Sequence, residues 1–251
     1  PEETVAVPEP DGSSPPVSRG IKWCAALLSQ ARAAREAIER HAPDRIVTLG
    51  GDCLVDLAPM AYLSRRYGEK LGVLWLDAHP DVMSAAEFSH AHAHVLALLL
   101  GRGDEAFTAE VPRKLDARRV MIAGMQGWNA DEDLILKELG IRHIPPAVLA
   151  DSSRPILDWI ETEGITHLAV HFDLDVLDPA HFSPLLFNRP GMPEGAFDGI
   201  EQGRMQLDQV VRLLKEIGAA VDMVGLAIAE PLPWDMLRLR NSLAELPIMK
   251  S

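Results

Sequence analysis

A chain of 251 residues with 47% hydrophobic residues can bury a sizeable core, which excludes a disordered polypeptide. Its 37 acidic and 24 basic residues leave a net charge of −13, which argues against nucleic acid or an anionic membrane surface as partner and suits a small cationic one. No apolar run approaches the roughly 20 residues of a membrane span, and two cysteines, Cys24 and Cys53, make no disulfide framework, so a reducing, cytoplasmic setting is expected.

The chain starts at Pro1, so a trimmed or processed start is expected. Residues 1–19, rich in Pro, Ser and Glu, read as a loop or loosely packed arm. Ile21 to His41 has helical spacing, with Arg32, Arg35 and Arg40 on what reads as a solvated face. Ile46–Leu49 is a short strand stopped by Gly50-Gly51-Asp52-Cys53, where the glycines let the backbone bend. A helix is expected over Leu54–Tyr67 and a strand over Val73–Leu76, which runs into Asp77-Ala78-His79-Pro80-Asp81. His90–Leu100 becomes helical in its later part and stops at Gly101. Strand Val120–Ala123, helices Asp131–Leu139 and Pro155–Glu163, and strand His167–Phe172 follow. Pro184 to Gly203 is dense in Pro and Gly and reads as a long loop, of a length usually tied to function or motion. An amphipathic helix over Leu207–Ile217, a strand over Val224–Ala229 and a helix over Asp235–Leu246 close the chain. Strand and helix alternate throughout, which predicts an α/β fold with a parallel sheet sandwiched by helices.

Metal-compatible side chains stand just past four of the apolar runs: Asp52-Cys53, Asp77/His79/Asp81, Asp173/Asp175 and Glu230. At the carboxyl ends of parallel strands they would converge on one edge of the sheet, where open α/β folds bind ligands. Carboxylates packed together repel unless cations offset their charge, so the pattern predicts a site for one or two divalent metals. Asp and His together suit an ion such as manganese or zinc. Asp178 reads instead as the cap of a turn before Pro179, and His41 and His143 as surface residues. Trp128 and Trp234 read either as walls of a pocket or as packing.

Gly50-Gly51-Asp52, Asp77-Ala78-His79-Pro80-Asp81 and Phe172-Asp173-Leu174-Asp175-Val176-Leu177-Asp178-Pro179 resemble, in order and spacing, the signature motifs of the arginase/agmatinase (ureohydrolase) family. Ala229-Glu230-Pro231 resembles the family's final acidic motif, and the likeness spans roughly residues 46–235. It implies a single ureohydrolase-like domain over residues 1–251, a three-layer αβα sandwich on a mostly parallel sheet of about eight strands. It also implies two manganese ions bridged by Asp77 and Asp173, with Asp81 a ligand of the first and His79 and Asp175 ligands of the second. Glu230 matches the carboxylate that receives a guanidinium, and Asp81 also a hydrogen-bond partner of the metal-bound hydroxide. The implied reaction is hydrolysis of a linear C–N bond in a guanidino or amidine compound by that hydroxide, with a histidine protonating the leaving amine. A homo-oligomer is implied as well.

The sequence departs from the family at three places. Cys53 stands where members with the full manganese pair usually carry a His ligand of the first metal. A thiolate is softer, so Cys53 is open to three readings: ligand of zinc, nickel, iron or cobalt, mark of a weak or single-ion site, or buried bystander. Ser89-His90-Ala91-His92-Ala93-His94-Val95 stands in place of a His-Gly motif. His92 is read as the catalytic proton carrier, and His94, the alternative, is placed at the substrate. Met83 replaces an Asn that true arginases use on the amino acid's carboxylate, which points to an agmatinase- or guanidinobutyrase-like specificity, with a formimino substrate also open. Two rival readings remain: a family member that has lost catalysis and serves as a binding or regulatory subunit, and a deacetylase-like amide hydrolase.

Overall fold

The computed structural model describes residues 1–8, 12–189, 191–232 and 242–249. After an extended N-terminal arm, β1 (Val17–Ser18) and β2 (Ile21–Lys22) form an antiparallel hairpin. The chain continues through α1 (Cys24–His41), β3 (Ile46–Leu49), α2 (Leu57–Tyr67), β4 (Leu71–Leu76), α3 (Val95–Leu99) and α4 (Glu105–Thr108). It goes on through β5 (Val120–Ala123), α5 (Ala130–Leu139), β6 (Arg142–Ile144), α6 (Pro146–Leu149) and α7 (Arg154–Thr162). It ends in β7 (His167–Asp173), α8 (Leu207–Ala220) and β8 (Asp222–Ala229). Trp234 and most of segment 235–246 lie outside the described residues.

Strands β3 to β8 form one sheet in the order β3-β8-β7-β4-β5-β6, with every neighbouring pair parallel. The central sheet therefore has six strands among the described residues, not the eight expected. The described residues of segment 177–206 carry an isolated bridge, Leu177 to Met205, and one 3-10 turn, as expected of a stretch whose Pro and Gly residues favour turns over a ladder. β6, three residues with Arg142 and His143 exposed, escaped sequence reading because it lacks an apolar run.

Strand β4 is buried on both faces, which is why it reads as a continuous apolar run. Its pleat sends alternate side chains to opposite layers. Val73 and Trp75 join Ile122, Ala169 and the inner faces of α1, α2 and α3 in one core. Leu74 and Leu76 join Phe172, Ile228 and the inner faces of α7 and α8 in another. Two cores, one on each side of the sheet, give the three layers expected from the sequence.

The helix expected over Leu54–Tyr67 begins as a 3-10 turn, Cys53–Asp56, and becomes α-helical at Leu57. Asp52 caps that turn, its Oδ1 accepting from the Leu54 amide at 3.1 Å. The arginines of α1 are not simply solvated: Arg32 donates to Glu110 at 2.7 Å, Arg35 donates to the same buried carboxylate, and Arg40 reaches Glu3. No helix among the described residues is long and apolar enough to cross a membrane.

The long loop returns to the sheet beneath the second acidic motif. Gly203 N donates to Asp175 O (3.0 Å), Met205 N to Val176 O (3.0 Å) and Asp178 N to Met205 O (2.9 Å). A Cβ on Gly203 would lie 2.1 Å from the Val176 carbonyl carbon and 2.2 Å from Asp175 O, so only glycine allows this approach. Gly203→Ala is expected to cost at least about 2 kcal/mol, read as a lower urea midpoint, because backbone rather than a flexible side chain must move.

Candidate metal centre

Strands β4 and β7 are neighbours at the middle of the sheet, with Trp75 opposite His171 and Leu76 opposite Phe172. Just beyond Leu76 comes Asp77, and β7 itself ends in Asp173. Period-two alternation puts Asp77 on the same face as Trp75, and Asp173 on the same face as His171. Cys53, in the 3-10 turn after β3, donates from Sγ to Asp173 Oδ2 at 2.8 Å. Cys53, Asp77, His171 and Asp173 are all buried, and each offers a ligand atom within 4.8 Å of the others. Asp77, His79 and Asp175 form a second group within the same limit. Asp77 belongs to both.

Hydrogen bonds preset these side chains. Asp77 accepts from His79 N at 2.7 Å and from Trp75 Nε1 at 3.1 Å. Asp173 accepts from Asp175 N at 2.7 Å, and Asp175 accepts from Ala78 N at 3.2 Å. His79 Nδ1 lies 2.9 Å from Asp175 Oδ2. Asp81 sits at φ 53, a left-handed conformation that is costly for a residue other than glycine. Its carbonyl oxygen accepts from Leu96 N (3.1 Å) and Ala97 N (3.3 Å), which ties it to the start of α3. Glu230 sits at φ 56, and its amide donates to Gly51 O at 2.8 Å, so the end of β8 is fastened to the turn that carries Cys53.

Five carboxylates share this edge. Burial, then the charges of its neighbours, pushes each of Asp81, Asp173 and Asp175 above the ordinary carboxylate range. The same causes push Glu230 up to about 7. Asp77 goes the other way: burial opposes its charge, but His171 and His79 outweigh burial and hold it low. Burial also opposes a charge on His79, yet Asp175 and Asp77 overcome it and push the imidazole up to about 12. Burial and the surrounding carboxylates push the Cys53 thiol up. Asp81 Oδ2 and His171 Nε2 are buried without a hydrogen-bond partner, as is Oδ1 of Asp56, which contacts His171. Clustered acids, a shared carboxylate and unpartnered buried donor atoms fit one or two divalent cations.

The histidine cluster lies on the 3-10 turn Ala91–His94. His92 is half-buried, its Nδ1 4.0 Å from Asp52 Oδ2, and it is close enough to Asp77 to feel that charge. His94 is buried, and its Nε2 is engaged by the Phe88 carbonyl oxygen at 2.8 Å. Asp178 accepts from Ala180 N at 2.8 Å, the turn-capping place expected of it. His41 and His143 are exposed, as is Trp128, which lies against His143. Sequence reading passed over His171 and Asp56, both wholly buried. The available signals were a histidine two residues before Asp173, hence on its face, and an acid one turn after Cys53.

The sequence model of the Arginase family matches residues 17–233. The arginase of Bacillus caldovelox is 30% identical over 173 residues, 61% of this chain and 56% of that relative. The arginase of Eremothecium gossypii is 28% identical over 151 residues, 56% of this chain and 38% of that relative. The alignments thus span about half the length, or less, of the curated relatives matched. The Entamoeba histolytica arginase structure, in complex with L-ornithine, superposes with a TM-score of 0.80 at 18% identity, covering 99% of this chain and 84% of that one. Formimidoylglutamase from Bacillus subtilis gives 0.69 at 16% identity, covering 89% and 68%. Such identities carry the fold alone.

The raised Glu230 pKa has a thermodynamic consequence. The folded state of the metal-free protein binds this proton more tightly than the unfolded state, so Glu230 lowers stability as pH rises from 4.5 to about 7. Glu230→Gln is expected to lose that dependence, gaining up to about 3 kcal/mol over wild type across the window, measured by urea denaturation at stepped pH.

Proposed function

The chain belongs to the arginase family, and we propose that it is a metal-dependent hydrolase cleaving a linear C–N bond in a guanidino or amidine compound. The observation that carries this reading is Asp77, a buried carboxylate shared by two groups of potential ligands. Asp77, His79, Asp81, Asp173, Asp175 and Cys53 would hold the cations. The resemblance implies two manganese ions; Cys53 also admits a single ion, or zinc, nickel, iron or cobalt. A bound divalent cation supplies the nucleophile by lowering the pKa of water from 15.7 to about 7.

The rest of the work falls to this chain's side chains. Glu230 receives the guanidinium through charge-assisted hydrogen bonds, and the substrate's positive charge relieves the repulsion that raises its pKa. His92 returns a proton to the leaving amine. His94, the alternative placed at the substrate, has its Nε2 engaged by the Phe88 carbonyl oxygen, which anchors the turn that also carries His92. Met83 offers no polar group to the α-carboxylate of L-arginine, which favours agmatine or guanidinobutyrate as substrate. Loss of catalysis is the second reading, favoured by Cys53 and its bond to Asp173.

The test is urea or ammonia release from L-arginine, agmatine, guanidinobutyrate and a formimino amino acid, with an acylated amine as the amide control. Manganese, nickel, zinc and cobalt are each supplied in turn. Turnover of a guanidino compound with at least one ion is expected; no turnover with any pairing, beside weak or single-ion binding by calorimetry, selects the non-catalytic reading. In the active pairing His92→Asn should lower kcat by about 10²–10⁴ with little change in KM. Glu230→Gln should lower kcat/KM by about 10–100-fold, the worth of a hydrogen bond to a charged group.

A further inference from the structure

Asp56 and His171 have no exposed surface at all, and the chemistry above uses neither. His171 Nδ1 lies 2.6 Å from Asp56 Oδ2, whereas its Nε2 has no hydrogen-bond partner. A buried ring nitrogen without a hydrogen bond costs about 1–3 kcal/mol, a cost that a ligand reaching Nε2 would remove. Nε2 is 3.6 Å from Asp77 Oδ2, too far for a hydrogen bond yet near enough for both atoms to reach one cation at about 2 Å each. Trp75 stacks on the imidazole at 3.7 Å and 13°, so the ring is held on its face as well as at its edge.

We propose that His171, oriented by Asp56, is a metal ligand in this chain, and that Cys53, Asp77, His171 and Asp173 form a thiolate–imidazole–carboxylate site that prefers a zinc-class cation to manganese. This rests on reading the centre as metal-binding and specifies which ion its Cys53 side takes. A histidine that donates one ring N–H to a carboxylate and turns its other nitrogen to a metal is a recurrent arrangement, in which the carboxylate fixes tautomer and orientation. Thiolate and imidazole are softer donors than carboxylate and favour zinc, cobalt or iron. The Asp77, His79 and Asp175 group has no sulfur and stays suited to a harder ion.

The full chain, stripped of metal, is titrated with cobalt(II) and with zinc in the absence of substrate, followed by absorption and calorimetry. An intense near-ultraviolet thiolate-to-cobalt band is expected, absent in Cys53→Ser and retained in Asp175→Asn. His171→Asn should weaken zinc binding by at least about 100-fold and Asp56→Asn by about 10–100-fold. Circular dichroism checks that each variant folds; if His171→Asn does not, Asp56→Asn and the wild-type spectrum decide. Absence of the band from wild type, or zinc affinity unmoved in the folded variant, overturns the inference. A cobalt–sulfur band without turnover of any substrate leaves this inference standing and counts against the proposed function. Turnover with manganese and no such band does the reverse.

Discussion

Repulsion among Asp77, Asp81, Asp173, Asp175 and Glu230 is the constraint on which the rest of this molecule depends. Like charges this close in a buried setting cannot all ionise without a compensating charge. The chain's own compensation is partial and centred on Asp77, where His79 and His171 hold the carboxylate ionised while three of its aspartate neighbours are pushed towards protonation. Such an edge is unfavourable for the folded chain alone and favourable for a cation that enters it. The stability to tolerate it comes from elsewhere, from the two apolar cores on either side of the sheet.

The sheet order explains why this edge exists. β4 and β7 are sequentially distant but hydrogen-bonded neighbours, so the acids at their carboxyl ends stand side by side. β8 adds Glu230 next to them, since Ala229 pairs with Asp173. Three of the acids are then tied through their own backbone to other segments: Asp81 to Leu96 and Ala97 of α3, Glu230 to Gly51, and Asp175 to Gly203. The left-handed conformations of Asp81 and Glu230 belong to the same economy of local strain held by surrounding structure. The site is therefore assembled from several loops on a rigid sheet, which allows one ligand to change while its neighbours stay in place.

Cys53 illustrates that freedom. Its sulfur lies within hydrogen-bond reach of Asp173, in the turn that also carries Asp56, and Asp56 in turn fixes His171. The thiol and the Asp56–His171 pair therefore form one connected unit that embraces one side of Asp77. His79 and Asp175 occupy the other side, with oxygen and nitrogen donors only.

The sequence by itself determined the α/β alternation, the positions of most strands and helices, and the acids just past the strand ends. These are local facts: apolar runs, glycine stops and polar residues at fixed offsets are written in neighbouring positions, as at Val120–Ala123, whose bounds the structure keeps unchanged. Only the tertiary structure decided the strand order, the six-stranded sheet, the Arg32 and Arg35 clamp on Glu110, and the place of His171. A histidine inside an apolar run looks like any strand residue until register sets Trp75 beside it and brings Asp56, 115 positions away, to its Nδ1. Cys53 and Asp173 meet across 120 positions in the same way. Contacts between residues so far apart depend on how strands pair and layers pack, which no local pattern encodes.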